Sequence, residues 1–186
     1  MIATLRNSEA KWFRATNQEA PETSSGEVFA KNSPRAPKIG LALSCGGARG
    51  LAHVGVIQVL EEEGIPVDAI AGTSMGAYVG SLWAAGLNGT KLEALAREIK
   101  DRKTMLRLLD PLFPPSEGLI RGEKIRKHLE RSLGTLSFTE LAKPLLVIAT
   151  GLDDLSAHVF DSGPVAAAVH ASSAIPGVCA PVRLNG

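Results

Sequence analysis

Residues 69–78 are Ala69-Ile70-Ala71-Gly72-Thr73-Ser74-Met75-Gly76-Ala77-Tyr78, an apolar run that passes into a Gly-x-Ser-x-Gly sequence. This pattern is typical of a nucleophile elbow, in which a serine lies on a sharp turn between strand and helix and the glycines leave room for the backbone. Residues 67–71 suit a buried strand, and residues 75–85 have the Ala, Leu and Trp content of a buried helix. The segment predicts Ser74 as a catalytic nucleophile, with Gly72 and Gly76 as the elbow glycines.

A second glycine-rich turn precedes the elbow. An apolar run of strand length, 38–44, leads into Cys45-Gly46-Gly47-Ala48-Arg49-Gly50, and a helical apolar pattern follows over 51–60. Backbone N–H groups at such a helix start bind an anion, which is either a phosphate or the oxyanion of acyl transfer. Neither glycine signature of nucleotide-binding loops fits here. We interpret Gly46, Gly47, Ala48 and Arg49 as an oxyanion hole, and a tight turn without chemistry remains the alternative.

These two turns belong to one predicted βαβ unit. The helix after the glycine-rich turn stops at Gly64, with Pro66 just beyond, and the strand that leads to Ser74 follows. Such a short connection indicates parallel strands with a right-handed crossover, whose carboxyl ends lie at the same edge of a sheet. The nucleophile and the oxyanion donors are therefore predicted to converge.

The rest of the chain is predicted to complete a single α/β domain over residues 38–186, behind a disordered leader over residues 1–37. Its expected elements are a helix capped by Thr90, a proline-broken loop at 110–115, a helix from Arg121 to Gly134 with a solvated His128, a buried strand at 145–149 paired with 157–160, a small-residue helix at 163–174 and an extended segment at 178–184.

Composition narrows the function classes. The chain has 186 residues, 45% of them hydrophobic and 21% charged, and a formal net charge of +1, so nothing in it favours a nucleic acid partner. It contains neither an apolar run of the ~18 residues that cross a membrane nor the apolar core of a secretory signal. We expect a cytoplasmic protein, with peripheral contact to the inner membrane surface as a further expectation. Cys45 and Cys179 have no metal or disulfide spacing and are predicted to be free, and no metal or cofactor is predicted.

Three motifs in order resemble the patatin-like phospholipase family. The glycine-rich turn matches its Gly-Gly-Gly-x-Arg/Lys-Gly loop except at Cys45, residues 72–76 match its Gly-x-Ser-x-Gly, and Ala171-Ser172-Ser173-Ala174-Ile175-Pro176 matches its Ala-Ser-x-x-x-Pro block. The resemblance runs from about Lys38 to Gly186 and is to bacterial-type members, similar to the catalytic domain of neuropathy target esterase.

This resemblance implies a three-layer α/β/α fold with a mostly parallel central sheet, incomplete at its C-terminus in this chain. It also implies a lipid acyl-ester hydrolase of the phospholipase A or lysophospholipase type, which uses a Ser–Asp dyad without histidine. In the family the aspartate lies in an Asp-Gly-Gly or Asp-Gly-Ala motif just beyond the segment that matches 178–186. No Asp-Gly occurs here. We therefore expect a truncated chain, roughly two-thirds of a domain, that alone is inactive or nearly so.

Two other interpretations stay open. The order Ser74, then Asp153, Asp154 or Asp161, then His170 is that of the Ser-His-Asp triad in α/β-hydrolases. The other is a lipid-binding or regulatory module that keeps the fold without turnover.

Overall fold

A computed structural model of the protein describes residues 2–4, 38–100, 110–111 and 118–184, which contain one five-stranded sheet of order β1-β2-β3-β4-β5. The strands are β1 (Ile2–Thr4), β2 (Ile39–Leu43), β3 (Ala69–Thr73), β4 (Leu145–Thr150) and β5 (Ala157–Phe160). The three central strands β2, β3 and β4 are parallel, and β1 and β5 pair antiparallel at the two edges. This mostly parallel sheet, together with its helices, confirms the predicted α/β class.

The described helices connect and cover these strands. They are α1 (Ala52–Glu62), α2 (Met75–Ala84), α3 (Gly89–Lys100), α4 (Glu123–Leu133) and α5 (Val165–Ser173), with short 3-10 turns at Gly47–Leu51 and Phe138–Glu140. Helix α1 joins parallel strands β2 and β3, which confirms the predicted βαβ unit. Its stop is also confirmed, because Gly64 has φ +61° and the Ile65 N–H donates to the carbonyl of Leu60 at 2.9 Å.

Helix α2 is the most deeply buried of these helices. Every residue from Gly76 to Ala84 is buried, and the helix packs on β3, β4 and α5. Leu82 is 1% exposed, and the indole N–H of Trp83 donates to the carboxylate of Glu61 at 2.8 Å. Because α2 is packed against other elements on all sides, it fixes the position of the turn at its N-terminus.

Several predicted boundaries were wrong. Helix α3 is capped by Asn88 rather than Thr90, since the Asn88 side-chain oxygen accepts the N–H of Lys91 at 3.0 Å. Helix α4 starts at Glu123 rather than Arg121, after Gly122 in a left-handed conformation. The extended segment predicted at 178–184 is not contradicted: its described pairing is one isolated bridge from Cys179 to Ile120, and no helix forms there.

The predicted leader is described only at Ile2–Thr4. These residues form β1, so the expectation of disorder was wrong there, because their backbone groups pair with the otherwise open edge of β2. Residues 5–37 lie outside the described residues, and the leader prediction for them stays a prediction. In the ranges that the structure describes, no helix is both long and apolar enough to cross a membrane.

His128 is not the solvated residue that its charged neighbours indicated. Its ring stacks on Tyr78 of α2 with centroids 6.2 Å apart, and its Nε2 atom is buried with no hydrogen-bond partner among the residues that the structure describes. Burial lowers the pKa of His128, which favours the neutral imidazole, and raises that of Tyr78. The contact depends on how α4 packs against α2, which the sequence of α4 alone does not reveal.

Candidate active site

Ser74 occupies the turn between β3 and α2, as the Gly-x-Ser-x-Gly pattern predicts. Its φ of +53° and ψ of −119° lie in a region that side chains rarely adopt. Holding a non-glycine residue there costs on the order of 1–3 kcal/mol, a strain that clusters at functional sites. The turn leaves Ser74 half-buried at the carboxyl end of a central strand.

The elbow glycines are required by close backbone contacts. A Cβ atom on Gly72 would lie 2.6 Å from Cα of Ala77, and one on Gly76 would overlap the carbonyl oxygen of Leu43 and lie 2.6 Å from that of Ser44. Gly76 therefore lets α2 approach the end of β2, which is the start of the glycine-rich turn.

The glycine-rich turn lies beside the elbow. After β2 the chain passes through Cys45 and Gly46 into the 3-10 turn, and Gly47 has φ +52°. The first internal bond of that turn runs from the Arg49 N–H to the carbonyl of Gly46 at 3.1 Å, so the N–H groups of Gly47 and Ala48 precede it. Of the four predicted oxyanion donors, Arg49 is the one whose N–H already has an acceptor among the described residues.

Contacts join this turn to the elbow. A Cβ atom on Gly50 would lie 2.7 Å from the side chain of Met75, the residue after the nucleophile. Cys45, which stands in place of the family's first glycine, is exposed and is not among the residues with positive φ, so its side chain causes no backbone strain. The structure thus brings the predicted nucleophile and the predicted oxyanion loop to one edge of the sheet.

A comparison with known protein families identifies the family of this chain. The profile of the patatin-like phospholipase family matches residues 41–186, a range that contains the glycine-rich turn, the elbow and the Ala-Ser block. The chain belongs to the patatin-like phospholipase family.

Curated relatives support the patatin-like assignment. An uncharacterized NTE family protein of Mycobacterium tuberculosis is 43% identical over 152 residues, which are 81% of this chain and 41% of that protein. Neuropathy target esterase sws of Drosophila melanogaster is 33% identical over 146 residues, which are 77% of this chain and 10% of that protein. The chain thus spans less than half the length of these relatives.

Solved structures show the same fold. The type III effector protein ExoU, from the secretion system of Pseudomonas aeruginosa, superposes with a TM-score of 0.54 at 19% identity, over 74% of this chain and 39% of that one. VipD from Legionella pneumophila gives a TM-score of 0.54 at 18% identity, over 78% of this chain and 44% of that one. At these identities the likeness concerns the fold alone, and it confirms a patatin-like α/β architecture.

Two residues of this patatin-like site had no role assigned from the sequence. The Ser172 hydroxyl accepts the backbone N–H of Ser74 at 2.8 Å, and Nε2 of His53 lies 2.9 Å from the carbonyl oxygen of Ser44, at the start of the glycine-rich turn. The first contact joins α5 to the elbow, and the second joins α1 to the segment after β2. The Ala-Ser block was the only sequence signal that pointed to Ser172.

His170 faces away from the nucleophile. It lies two residues before Ser172 on α5, and its Nε2 is 3.2 Å from the carbonyl oxygen of Arg121 and its Nδ1 4.0 Å from the carboxylate of Glu123. Residues two apart on a helix project about 160° apart. Since Ser172 points to Ser74, His170 points to α4, which argues against the triad interpretation.

Asp154 is also poorly suited to act as a base. Asp154 lies in the exposed turn after β4 and accepts the N–H of Ser156 at 3.0 Å. This bond lowers the pKa of Asp154, which makes its carboxylate a weaker base. Asp153 lies in the same turn, and Asp161 follows β5 before the final helix.

A variant at His170 separates the dyad from the triad. We expect His170→Gln in the whole natural protein to keep kcat for acyl-ester hydrolysis within about threefold of the wild-type value. Glutamine still offers a hydrogen-bonding group to the Arg121 carbonyl, just before α4. The measurement is kcat at saturating substrate for both proteins. A loss of several hundredfold in a folded variant would favour the triad instead.

Proposed function

We propose that this chain carries the nucleophile of a serine acyl-ester hydrolase that acts on lipids of the phospholipase A or lysophospholipase type. The observation that carries the proposal is the strained Ser74 turn beside the glycine-rich 3-10 turn. Family membership and the name of the Drosophila relative, neuropathy target esterase, support ester hydrolysis. The same support favours a lipid substrate over a soluble ester.

The chemistry follows from the positions of these groups. The Ser74 Oγ attacks the ester carbonyl carbon while its proton passes to a carboxylate base, and the carbonyl oxygen becomes an oxyanion. The amides of Gly47 and Ala48, with Gly46 beside them, supply donors for that oxyanion. The carbonyl re-forms as the alcohol leaves with the proton, and water then releases the acyl group from Ser74 by the same steps.

The base in this proposal is an aspartate of an Asp-Gly motif, as the family resemblance implies. Asp153, Asp154 and Asp161 are the candidates within these 186 residues, and none of them precedes a glycine. A serine hydroxyl without a base stays protonated at neutral pH, so only binding and oxyanion stabilisation would remain.

The isolated 186-residue chain tests this assignment of the base. We expect it to hydrolyse a p-nitrophenyl ester at less than about a thousandth of the rate of the whole natural protein. The measurement is kcat for both, with folding checked by circular dichroism. Turnover by the short chain on the order of 1 per second or faster would place the base among Asp153, Asp154 and Asp161 instead.

Release of fatty acid also distinguishes an enzyme from a lipid-binding module that has no turnover. The whole natural protein should release fatty acid from phospholipid vesicles that contain lysophospholipid, in a reaction that needs no added metal or cofactor. We propose a cytoplasmic location with peripheral contact to the membrane that supplies the substrate. Binding to such vesicles without release of fatty acid would instead support the lipid-binding module.

A further inference from the structure

Ser172 joins three elements through one hydroxyl group. It lies near the end of α5, accepts the backbone N–H of Ser74 at 2.8 Å and donates to the carbonyl oxygen of Ile148 on β4 at 2.5 Å. The proposed chemistry uses neither bond. Both lengths are normal or short for their atom types, so the hydroxyl acts as donor in one bond and as acceptor in the other.

These two hydrogen bonds pair backbone groups of Ser74 and Ile148 at the position where the ladder between β3 and β4 ends. The parallel register of β3 and β4 ends at the pair Thr73 and Ile148, and Ser74 follows directly with its positive φ. A half-buried N–H at such a turn needs an acceptor, because an unpaired donor that is shielded from water destabilises the fold. The Ser172 hydroxyl provides that acceptor and ties the turn to the neighbouring strand.

We propose that Ser172 is a positioning residue, which holds the strained Ser74 turn at its place on the sheet edge by this pair of hydrogen bonds. The inference rests on the proposed function, because it assigns Ser172 a role in the reactivity of Ser74. In this proposal Ser172 makes no contact with the substrate. It acts on the orientation of the nucleophile toward the glycine-rich turn.

Helix α5 does not depend on this hydroxyl for its own place in the fold. Its apolar residues are buried against the sheet and α4, with Val165 and Val169 each 0% exposed. Removing the hydroxyl should therefore disturb the turn more than the domain. The next residue, Ser173, contributes its carbonyl oxygen to a contact with the Cys179 thiol, and its side chain offers a matched control.

Hydrogen exchange tests the bond without any need for catalysis. The protection factor of the Ser74 amide is compared in the wild-type protein and in the variants Ser172→Ala, Ser172→Thr and Ser173→Ala. We expect protection to fall about tenfold or more in Ser172→Ala and to stay within about threefold in the other two, because threonine keeps the hydroxyl. Unchanged protection in Ser172→Ala would overturn the proposal.

Labelling with a fluorophosphonate then tests the consequence for Ser74. The second-order labelling rate should fall about ten- to a hundredfold in Ser172→Ala, recover in Ser172→Thr and stay at the wild-type level in Ser173→Ala. An equal labelling rate in Ser172→Ala would contradict the proposal, because the hydroxyl would then have no effect on Ser74. A Ser172→Ala protein that does not fold would also contradict it, because the hydroxyl would then be needed by the whole fold. If the wild-type protein does not label, the proposed function fails, and the exchange comparison still decides whether Ser172 holds the turn.

Discussion

Replacement of Ser74 by alanine is expected to lower kcat for acyl-ester hydrolysis by about 10⁴-fold or more in the whole natural protein. The variant keeps the elbow glycines and the glycine-rich turn, so binding and oxyanion stabilisation remain while the attacking oxygen is lost. Steady-state hydrolysis of a p-nitrophenyl ester measures the effect. Ser132→Ala is the matched control, because the Ser132 hydroxyl donates to the carbonyl of His128 in its own helix and has no other hydrogen bond within the described part of the chain. Activity of Ser74→Ala near that of Ser132→Ala would rule out Ser74 as the nucleophile.

The same position gives a check on backbone strain. Ser74→Gly should be as inactive as Ser74→Ala but about 1 kcal/mol more stable, because glycine adopts φ of +53° without the steric cost. Thermal unfolding of the two variants provides the comparison. A glycine variant less stable than the alanine variant would argue against strain at this turn.

Gly76→Ala is expected to disrupt the fold rather than the chemistry alone. The added Cβ would meet the backbone carbonyls of Leu43 and Ser44, which cannot move without separating α2 from the end of β2. Overpacking of this kind against backbone should cost about 3 kcal/mol or more, above the usual range for side chains. A lower unfolding temperature and loss of soluble protein are the expected observations.

Gly55→Ala is the control for this substitution. Gly55 lies on the exposed side of α1, and no atom of the described residues lies within 4 Å of an added Cβ, so alanine there should be neutral or stabilise by up to about 1 kcal/mol. Equal unfolding temperatures for the two variants would contradict the close approach at Gly76.

The features that sequence predicted here are those with local signals. The elbow, the βαβ unit and the end of α1 follow from glycines at fixed offsets and from apolar periodicity, which the backbone obeys within a few residues. The pairing of residues 157–160 with β4 was also predicted, and the structure shows that it is antiparallel. This short apolar segment follows β4 after a brief turn.

The features that sequence missed depend on contacts between distant segments. Ser172 meets the elbow 98 positions earlier in the chain, a contact that no periodicity encodes. His128 is covered by Tyr78 of another helix, although its own neighbours are charged. At α3, Asn88 and Thr90 are both acceptable caps, and the choice depends on the Gly89 N–H, which donates to Glu61 on α1 at 2.8 Å.

The central claim is that Ser74 is an activated nucleophile on a strained turn beside an oxyanion loop. Incubation of the whole natural protein with a fluorophosphonate, followed by peptide mass spectrometry, tests this most directly. We predict one covalent adduct, located on Ser74 and absent from Ser74→Ala and from urea-unfolded protein, because reactivity depends on the folded site. An unmodified Ser74 in folded, ester-hydrolysing protein, or an adduct on another serine, would contradict the claim.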